Sequence, residues 1–267
     1  MIAVIAGTGN LPLEACKNLI KQNKDFFVIS LFPEDNLIEL QKIISDPSKI
    51  IIQNFYQAST ILNLLKEKHA THVIMIGKVD KRNLLKKVKL DWLAIKLLAS
   101  LAYKDDKAIM EKILETLKSN GIEVINQNEI LDSLFIKPGL ICGEINSYIQ
   151  TNIDLGMQLA VKIAEIGIGQ TLVMKDGMII AVEAIEGTDE CIKRGIEQGK
   201  ENIVICKSAH KNQNNKYDLP TLGTKSLENI LPGQVAAIAW QSSKTIIVDK
   251  ETFIKKAQEL NIPLISI

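Results

Sequence analysis

The opening of this chain constrains its fold more than any other segment. Ile2-Ala3-Val4-Ile5-Ala6 is a short apolar run rich in β-branched residues, and it stops at Gly7-Thr8-Gly9-Asn10-Leu11-Pro12. Such a run reads as a buried strand. The glycines allow a sharp exit, and Pro12 suits the first turn of a helix, where a missing N–H costs nothing. A strand, a glycine turn and a helix from about Pro12 to Gln22 form a β-α opening of Rossmann type.

The alternation continues. Strands are expected at Phe26–Ser30, Ile50–Gln53, Val73–Ile76 and Ile122–Ile125, and helices at Leu37–Ile44, Ser59–His69, Asp91–Ala102 and Asp106–Asn120. This predicts an α/β fold with a mostly parallel sheet over residues 1–130. Residues 131–140 carry Lys137-Pro138-Gly139 and no clear period, so they are read as a linker. A second α/β domain is expected over 141–267. It has a helix at Asp154–Glu165, strands Gln170–Met174 and Met178–Glu183 joined by the hairpin signal Asp176-Gly177, and a helix at Cys191–Gly199. Strands Ile203–Cys206, Ala236–Ala239 and Thr245–Val248 follow, with helices Leu227–Leu231 and Lys250–Leu260.

Composition narrows the partners. Hydrophobic residues make up 46% and charged residues 24%, as in a globular protein, and the formal net charge of +1 supplies no global field for nucleic acid. Arg82 and Arg194 are the only arginines, and only they offer a bidentate fork for phosphate or carboxylate. Cys16, Cys142, Cys191 and Cys206 show neither metal-ligand nor disulfide spacing, and no apolar run reaches membrane-spanning length. A reduced, cytoplasmic setting is therefore expected. His69, His72 and His210 share no ligand spacing. Leu84–Tyr103 mixes lysines with Trp92, Leu93 and Ile95; its ordinary reading is a helix with one buried stripe, and its sharper one an interfacial helix on anionic lipid.

Three segments carry candidate chemistry. Glu183-Ala-Ile-Glu186-Gly187-Thr188-Asp189 packs three carboxylates around a turn before a helix bearing Arg194. Thr188 or Asp189 can serve simply as the helix cap, and Glu183 and Glu186 as a polar strand face. The alternative is a metal or polyanion site, with helix dipole and N–H groups aimed at the ligand. Asp218-Leu219-Pro220-Thr221-Leu222-Gly223 places an acid in a backbone that Pro220 restricts. Gly7-Thr8-Gly9 departs from the dinucleotide fingerprint, because Pro12 stands where the third glycine would be and no acid clearly closes the second strand. That disfavours NAD while leaving close backbone approach to a ribose or phosphate.

These segments, with Gly77-Lys78-Val79, Asp105-Asp106 and Gly169-Gln170, resemble the LpxI family of bacterial UDP-2,3-diacylglucosamine pyrophosphatases, which act in lipid A biosynthesis in Gram-negative bacteria. The resemblance runs along nearly the whole chain and is strongest in its C-terminal half. Two departures stand out: His210-Lys211-Asn212-Gln213-Asn214 replaces an expected Lys-Pro-Gly-Gln-Asp-like segment, and Lys104 replaces a glycine before the two aspartates.

The resemblance implies metal-dependent hydrolysis of UDP-2,3-diacylglucosamine to UMP and 2,3-diacylglucosamine 1-phosphate by water attack, with Mg2+, or Mn2+ in its place. Asp218 is then the leading catalytic residue, with Glu186 and Asp189 beside it, and Asp218, Glu183, Glu186 and Asp189 are the candidate metal ligands. Gly7, Thr8, Gly9, Asn10, Lys78, Thr188, Arg194 and Lys207 are the candidate contacts to the UDP and phosphate parts of the substrate. Peripheral contact with the inner membrane and a homo-oligomer are compatible with this reading, and no nucleic acid is expected. The alternative is a non-catalytic nucleotide-sugar or lipid-binding protein.

Overall fold

The computed structural model describes residues 1–79, 91–99, 106–210, 213–217 and 219–267. The chain divides into two compact units, Met1–Leu131 with Asn215–Tyr217, and Asp132–Asn214 with Asp218–Ile267. The excursion of Asn215–Tyr217 interrupts the continuous 141–267 span read from the sequence. Tyr217 packs on the first unit's apolar cluster, and the Asn215 carbonyl accepts the Gln127 N–H at 2.7 Å.

The first unit contains strands β1 (Ile2–Ala6), β2 (Phe26–Ser30), β3 (Ile50–Ile52), β4 (His72–Ile76) and β5 (Glu123–Val124). They lie in the order β3-β2-β1-β4-β5, and every pairing is parallel. Side chains alternate between the two faces. Ala3, Phe27, Ile29, Val73 and Met75 pack with Leu65 of helix α3 (Ala58–Glu67) and with Leu117 of helix α5 (Asp106–Ser119). Val4, Ala6, Val28 and Ile74 are equally buried on the other face. Helices α1 (Leu11–Lys21), α2 (Pro33–Ile43) and α6 (Gln127–Leu131) contact β1, β2 and β4. The remaining described helix, α4 (Trp92–Ala99), contacts α3 and α5. Helices on both faces of a parallel sheet are what the opening run demanded, since it offers no polar side to water.

In the second unit, β6 (Gly139–Cys142), β13 (Leu264–Ser266), β11 (Val235–Trp240), β9 (Ile203–Lys207), β7 (Thr171–Lys175) and β8 (Met178–Val182) form a mixed sheet in that spatial order. The inner strands β13, β11 and β9 are parallel, β6 and β7 run against them, and β8 returns in their direction as the second strand of a hairpin with β7. The hairpin turns at Asp176-Gly177, both with positive φ as a type I′ turn requires. One face, with Leu172, Met174, Val204, Cys206, Ala237 and Ala239, is covered by α7 (Ser147–Glu165). The other, with Val173, Ile203, Ile205, Ile238 and Trp240, is covered by α8 (Thr188–Gly199), α9 (Lys250–Glu259) and a 3-10 turn at Thr224–Leu227. A short parallel pair, β10 (Thr221–Leu222) with β12 (Ile246–Ile247), stands apart from this sheet.

Several expectations are corrected. Helix α7 starts seven residues before Asp154, because Asn146 caps it by accepting the Ile149 N–H at 2.8 Å. The segment read as a linker ends in strand β6, which pairs with β13. The helix expected at Leu227–Leu231 is a 3-10 turn that closes at Leu227, before Asn229 with φ 66°.

Candidate functional site

Strand parity assembles the polar centre of the second unit. Val173 on β7, Ile203 and Ile205 on β9 and Ala181 on β8 all belong to the cluster on the α8 side of the sheet. Thr171, Lys207 and Glu183 lie two residues beyond members of that set, so all three project toward α8. Thr171 stands opposite Lys207 in the antiparallel register, and the Glu183 N–H donates to the Thr171 carbonyl at 2.9 Å. Thr188, the first residue of α8, then meets them.

Lys207 is 1% exposed. Its ammonium donates to Thr188 Oγ1 at 2.7 Å, to Thr171 Oγ1 at 2.8 Å and, more weakly, to Glu183 Oε2 at 3.5 Å. The Thr188 hydroxyl donates to Glu183 Oε1 at 3.1 Å, and the Gln170 N–H reaches Glu183 Oε2 at 3.3 Å. Burial acts to raise the pKa of Glu183. The Lys207 charge and the hydrogen bonds from Thr171, Thr188 and Gln170 outweigh it, so the carboxyl is held below its ordinary value. The result is a fixed, charge-paired centre at one end of the sheet.

Two further features hold it in place. A Cβ on Gly169 would lie 2.1 Å from the Glu183 carbonyl oxygen, so only glycine lets the two backbones meet there. The chain leaving Lys207 is clamped by Gln241, whose Oε1 accepts from Ser208 Oγ and from the Ala209 N–H, each at 3.1 Å, while its own N–H donates to the Lys207 carbonyl at 3.0 Å.

Neither Thr188 nor Asp189 is the cap of α8. Gly187 occupies that position, with φ 85° and no side chain to cap with, and the Thr188 hydroxyl is engaged between Lys207 and Glu183. The three carboxylates expected to act together also part ways. Glu183 turns to Lys207, while Glu186 pairs with Arg194 in a shallow depression shared with Glu190, Lys193 and Glu197. Asp189 accepts from Ser226 Oγ at 3.1 Å in a second depression. Among the described residues no three His, Cys, Asp or Glu side chains are grouped to hold a metal ion. Arg194 also donates to the Val182 carbonyl at 2.8 Å, so its guanidinium braces the strand that leads to Glu183. Asp218, Arg82 and Asp105 lie outside the described residues, as do Lys211 and Asn212; the side chain of Asp106 does also.

The first unit brings two expected motifs together. Strand order reverses at β1, with β2 on one side and β4 on the other, and ligands in such sheets bind outside the carboxyl ends at that switch point. Gly7-Thr8-Gly9 leaves β1 there and Gly77-Lys78 leaves β4. Thr8 and Lys78 exchange backbone hydrogen bonds at 2.8 and 3.0 Å. A Cβ on Gly7 would lie 2.5 Å from the Lys78 carbonyl oxygen, so this glycine answers to the strand crossing itself. Gly9 has φ +89° and nothing within 4 Å of where its Cβ would stand. Its N–H donates to Asp35 Oδ2 at 2.7 Å, while Asn36 Nδ2 donates to the Gly7 carbonyl at 2.8 Å. Sequence reading missed Asp35, since it sits in the first turn of α2 rather than at the end of β2; Pro33 two residues earlier was the available signal.

Known proteins agree with this two-unit layout. Residues 1–134 match the family described as the LpxI N-terminal domain, and residues 137–265 match the LpxI C-terminal domain. A curated relative, the UDP-2,3-diacylglucosamine pyrophosphatase LpxI of Caulobacter vibrioides, is 25% identical over 281 residues, covering 98% of this chain and 95% of the relative. Matched by both domain descriptions over nearly its full length, the chain belongs to the LpxI family.

Proposed function

We propose that this protein hydrolyses the pyrophosphate bond of UDP-2,3-diacylglucosamine, releasing UMP and 2,3-diacylglucosamine 1-phosphate for lipid A biosynthesis. The observation that carries the reading is the match of both LpxI domain descriptions together with a relative of that named activity along 98% of the chain. The uridine nucleotide is assigned to the switch point of the first unit, with the exposed Lys78 near its phosphates. The acylated glucosamine phosphate is assigned to the second unit, where Ile168 and Ile185, 50% and 97% exposed, flank Gly169 and Glu183 in sequence and offer apolar surface to acyl chains.

In this reading Asp218 orients the attacking water. The Lys207 ammonium, held in place by Thr171, Thr188 and Glu183, supplies a preorganised positive charge at the sheet end, which needs no reorganisation as negative charge develops on phosphate. Lys207 thus acts from a buried, hydrogen-bonded position rather than as a mobile surface cation. Arg194 is tied to Glu186, so its part is to hold the strand-to-helix loop.

A divalent ion, Mg2+ or Mn2+, would offset pyrophosphate charge. Mg2+ is commonly held by one or two carboxylates plus the substrate's own phosphates, so the ion is proposed to arrive with the substrate. Among the described residues no helix is long and apolar enough to cross a membrane, and the enzyme is proposed to reach its lipid from the cytoplasmic side.

The test is release of UMP from UDP-2,3-diacylglucosamine by the purified protein, with and without Mg2+ or Mn2+ and with a chelator. Turnover that needs the ion is expected. Full turnover in excess chelator overturns the metal requirement, and binding without turnover under every condition favours a non-catalytic nucleotide-sugar or lipid-binding protein.

A further inference from the structure

The glycine turn of the first unit has an acid built into it. Asp35 Oδ2 accepts the Gly9 N–H at 2.7 Å, so the backbone amide that a phosphate would ordinarily use at this turn already faces a carboxylate. A second phosphate-type anion on the same amide would meet like charge. Beside Asp35 in sequence, Asn36 is 3% exposed, and its orientation is set by the bond from Nδ2 to the Gly7 carbonyl. Its Oδ1 is buried with no hydrogen-bond partner. An unpartnered buried acceptor is costly, and it marks a place where a donor is missing. Both features call for hydrogen-bond donors, because a carboxylate and an amide oxygen accept and cannot donate, and sugar hydroxyls are donors of that kind.

On the other side of β1, Lys78 is exposed at the end of β4, joined to Thr8 by their two backbone bonds. The switch point is therefore polarised, with acceptors toward β2 and a cation toward β4. A nucleotide has the matching polarity, a diol at one part and phosphate at the other.

Resting on the nucleotide assignment above, we propose that Asp35 is the ribose-recognising residue of this site: anchored through Oδ2 on the Gly9 amide, it takes the sugar hydroxyls on Oδ1, and the phosphates run toward Lys78. This places the ribose over the β2 side of the crevice. It also makes the protein select ribonucleotides over nucleotides without sugar hydroxyls, since a ligand lacking them displaces water from the exposed Asp35 Oδ1 without replacing its hydrogen bond.

The experiment compares binding of UMP and 2′,3′-dideoxy-UMP by calorimetry to the full chain, in wild type, Asp35→Ala, Asp35→Asn and Lys78→Ala. Wild type is expected to prefer UMP by about tenfold or more, the scale of one hydrogen bond to a charged group. Asp35→Ala should bring the ratio close to one, and Asp35→Asn, which keeps an acceptor of the same shape, should leave part of it and guards against a folding defect in the alanine variant. Lys78→Ala should weaken both ligands while leaving their ratio unchanged. An undiminished ratio in both Asp35 variants, or no preference in wild type, overturns the Asp35 inference alone. Absence of any UMP binding to wild type overturns the nucleotide assignment and the inference with it.

Discussion

Thr171 faces Lys207 across the β7–β9 register, and its hydroxyl accepts a hydrogen bond from the Lys207 ammonium at 2.8 Å. The pairing shows how a lysine that sequence alone would place on a surface can be wholly buried. It is the last residue of a strand whose preceding positions are apolar, and its partners come from a neighbouring strand, a strand end and a helix start. The buried charge makes the centre sensitive to loss of any one partner.

Glu183→Gln should destabilise the second unit by about 3 kcal/mol, because it removes the carboxylate that faces a buried ammonium. Lys207→Met alone should also destabilise, and the double variant should recover part of the loss, giving a favourable coupling in a double-mutant cycle. Denaturant unfolding followed by the fluorescence of buried Trp240, in a Trp92→Phe background, isolates this unit. Additive losses would show that the pair is not coupled.

The pH dependence follows from the depressed Glu183 pKa. A group with a folded value below its unfolded one binds more protons when unfolded, so its stabilisation is complete above the ordinary value of 4.5 and is lost as pH falls through the folded value. The stability difference between wild type and Glu183→Gln should therefore be largest near neutral pH and shrink as pH drops below about 4. Denaturation midpoints at a series of pH values measure it, and a difference that grows on acidification would contradict the assignment.

Gly169→Ala should cost the second unit about 1–3 kcal/mol or more, since the new methyl would lie well inside contact distance of the Glu183 carbonyl. The displaced carbonyl belongs to the residue that holds Lys207, so turnover should fall with stability. Gly177→Ala serves as the contrast: its Cβ would meet nothing within 4 Å, leaving only the strain of φ +75°. Thermal unfolding of the two variants should show the larger loss at Gly169.

Asp218→Asn should lower kcat by about a hundredfold or more while leaving substrate binding largely intact, as expected for a group that acts on the transition state. Steady-state kinetics paired with calorimetric binding separates the two effects. Near wild-type turnover would reduce Asp218 to a turn residue before Pro220.

Much of the architecture was legible in the chain itself. Short apolar runs such as Ile2–Ala6 and Ile203–Cys206, punctuated by glycine turns and amphipathic stretches, mark strands and helices because local sterics and periodicity suffice to define them. The Asp176-Gly177 hairpin was legible for the same reason. Elements that depend on distant partners were not: β13 is three residues long and exists because β11 and β6 pair with it, and β6 lies where the sequence showed only an aperiodic stretch.

The candidate site divides along the same line. Residue types and spacing pointed to Glu183, Thr188 and Gly9, because carboxylates before a helix and glycines after a strand carry recognisable chemistry, and the family resemblance added Lys207 and Lys78. Three-residue spacing of Glu183, Glu186 and Asp189 could not tell that their carboxylates face three different partners. Nor could it show that Asp35 reaches Gly9 across 26 positions. The sequence by itself determined most of the strands and the faces they bury. Tertiary structure alone decided which charges meet, because strand order and register join residues far apart in the chain, and a one-residue change in register would turn Lys207 to the opposite face.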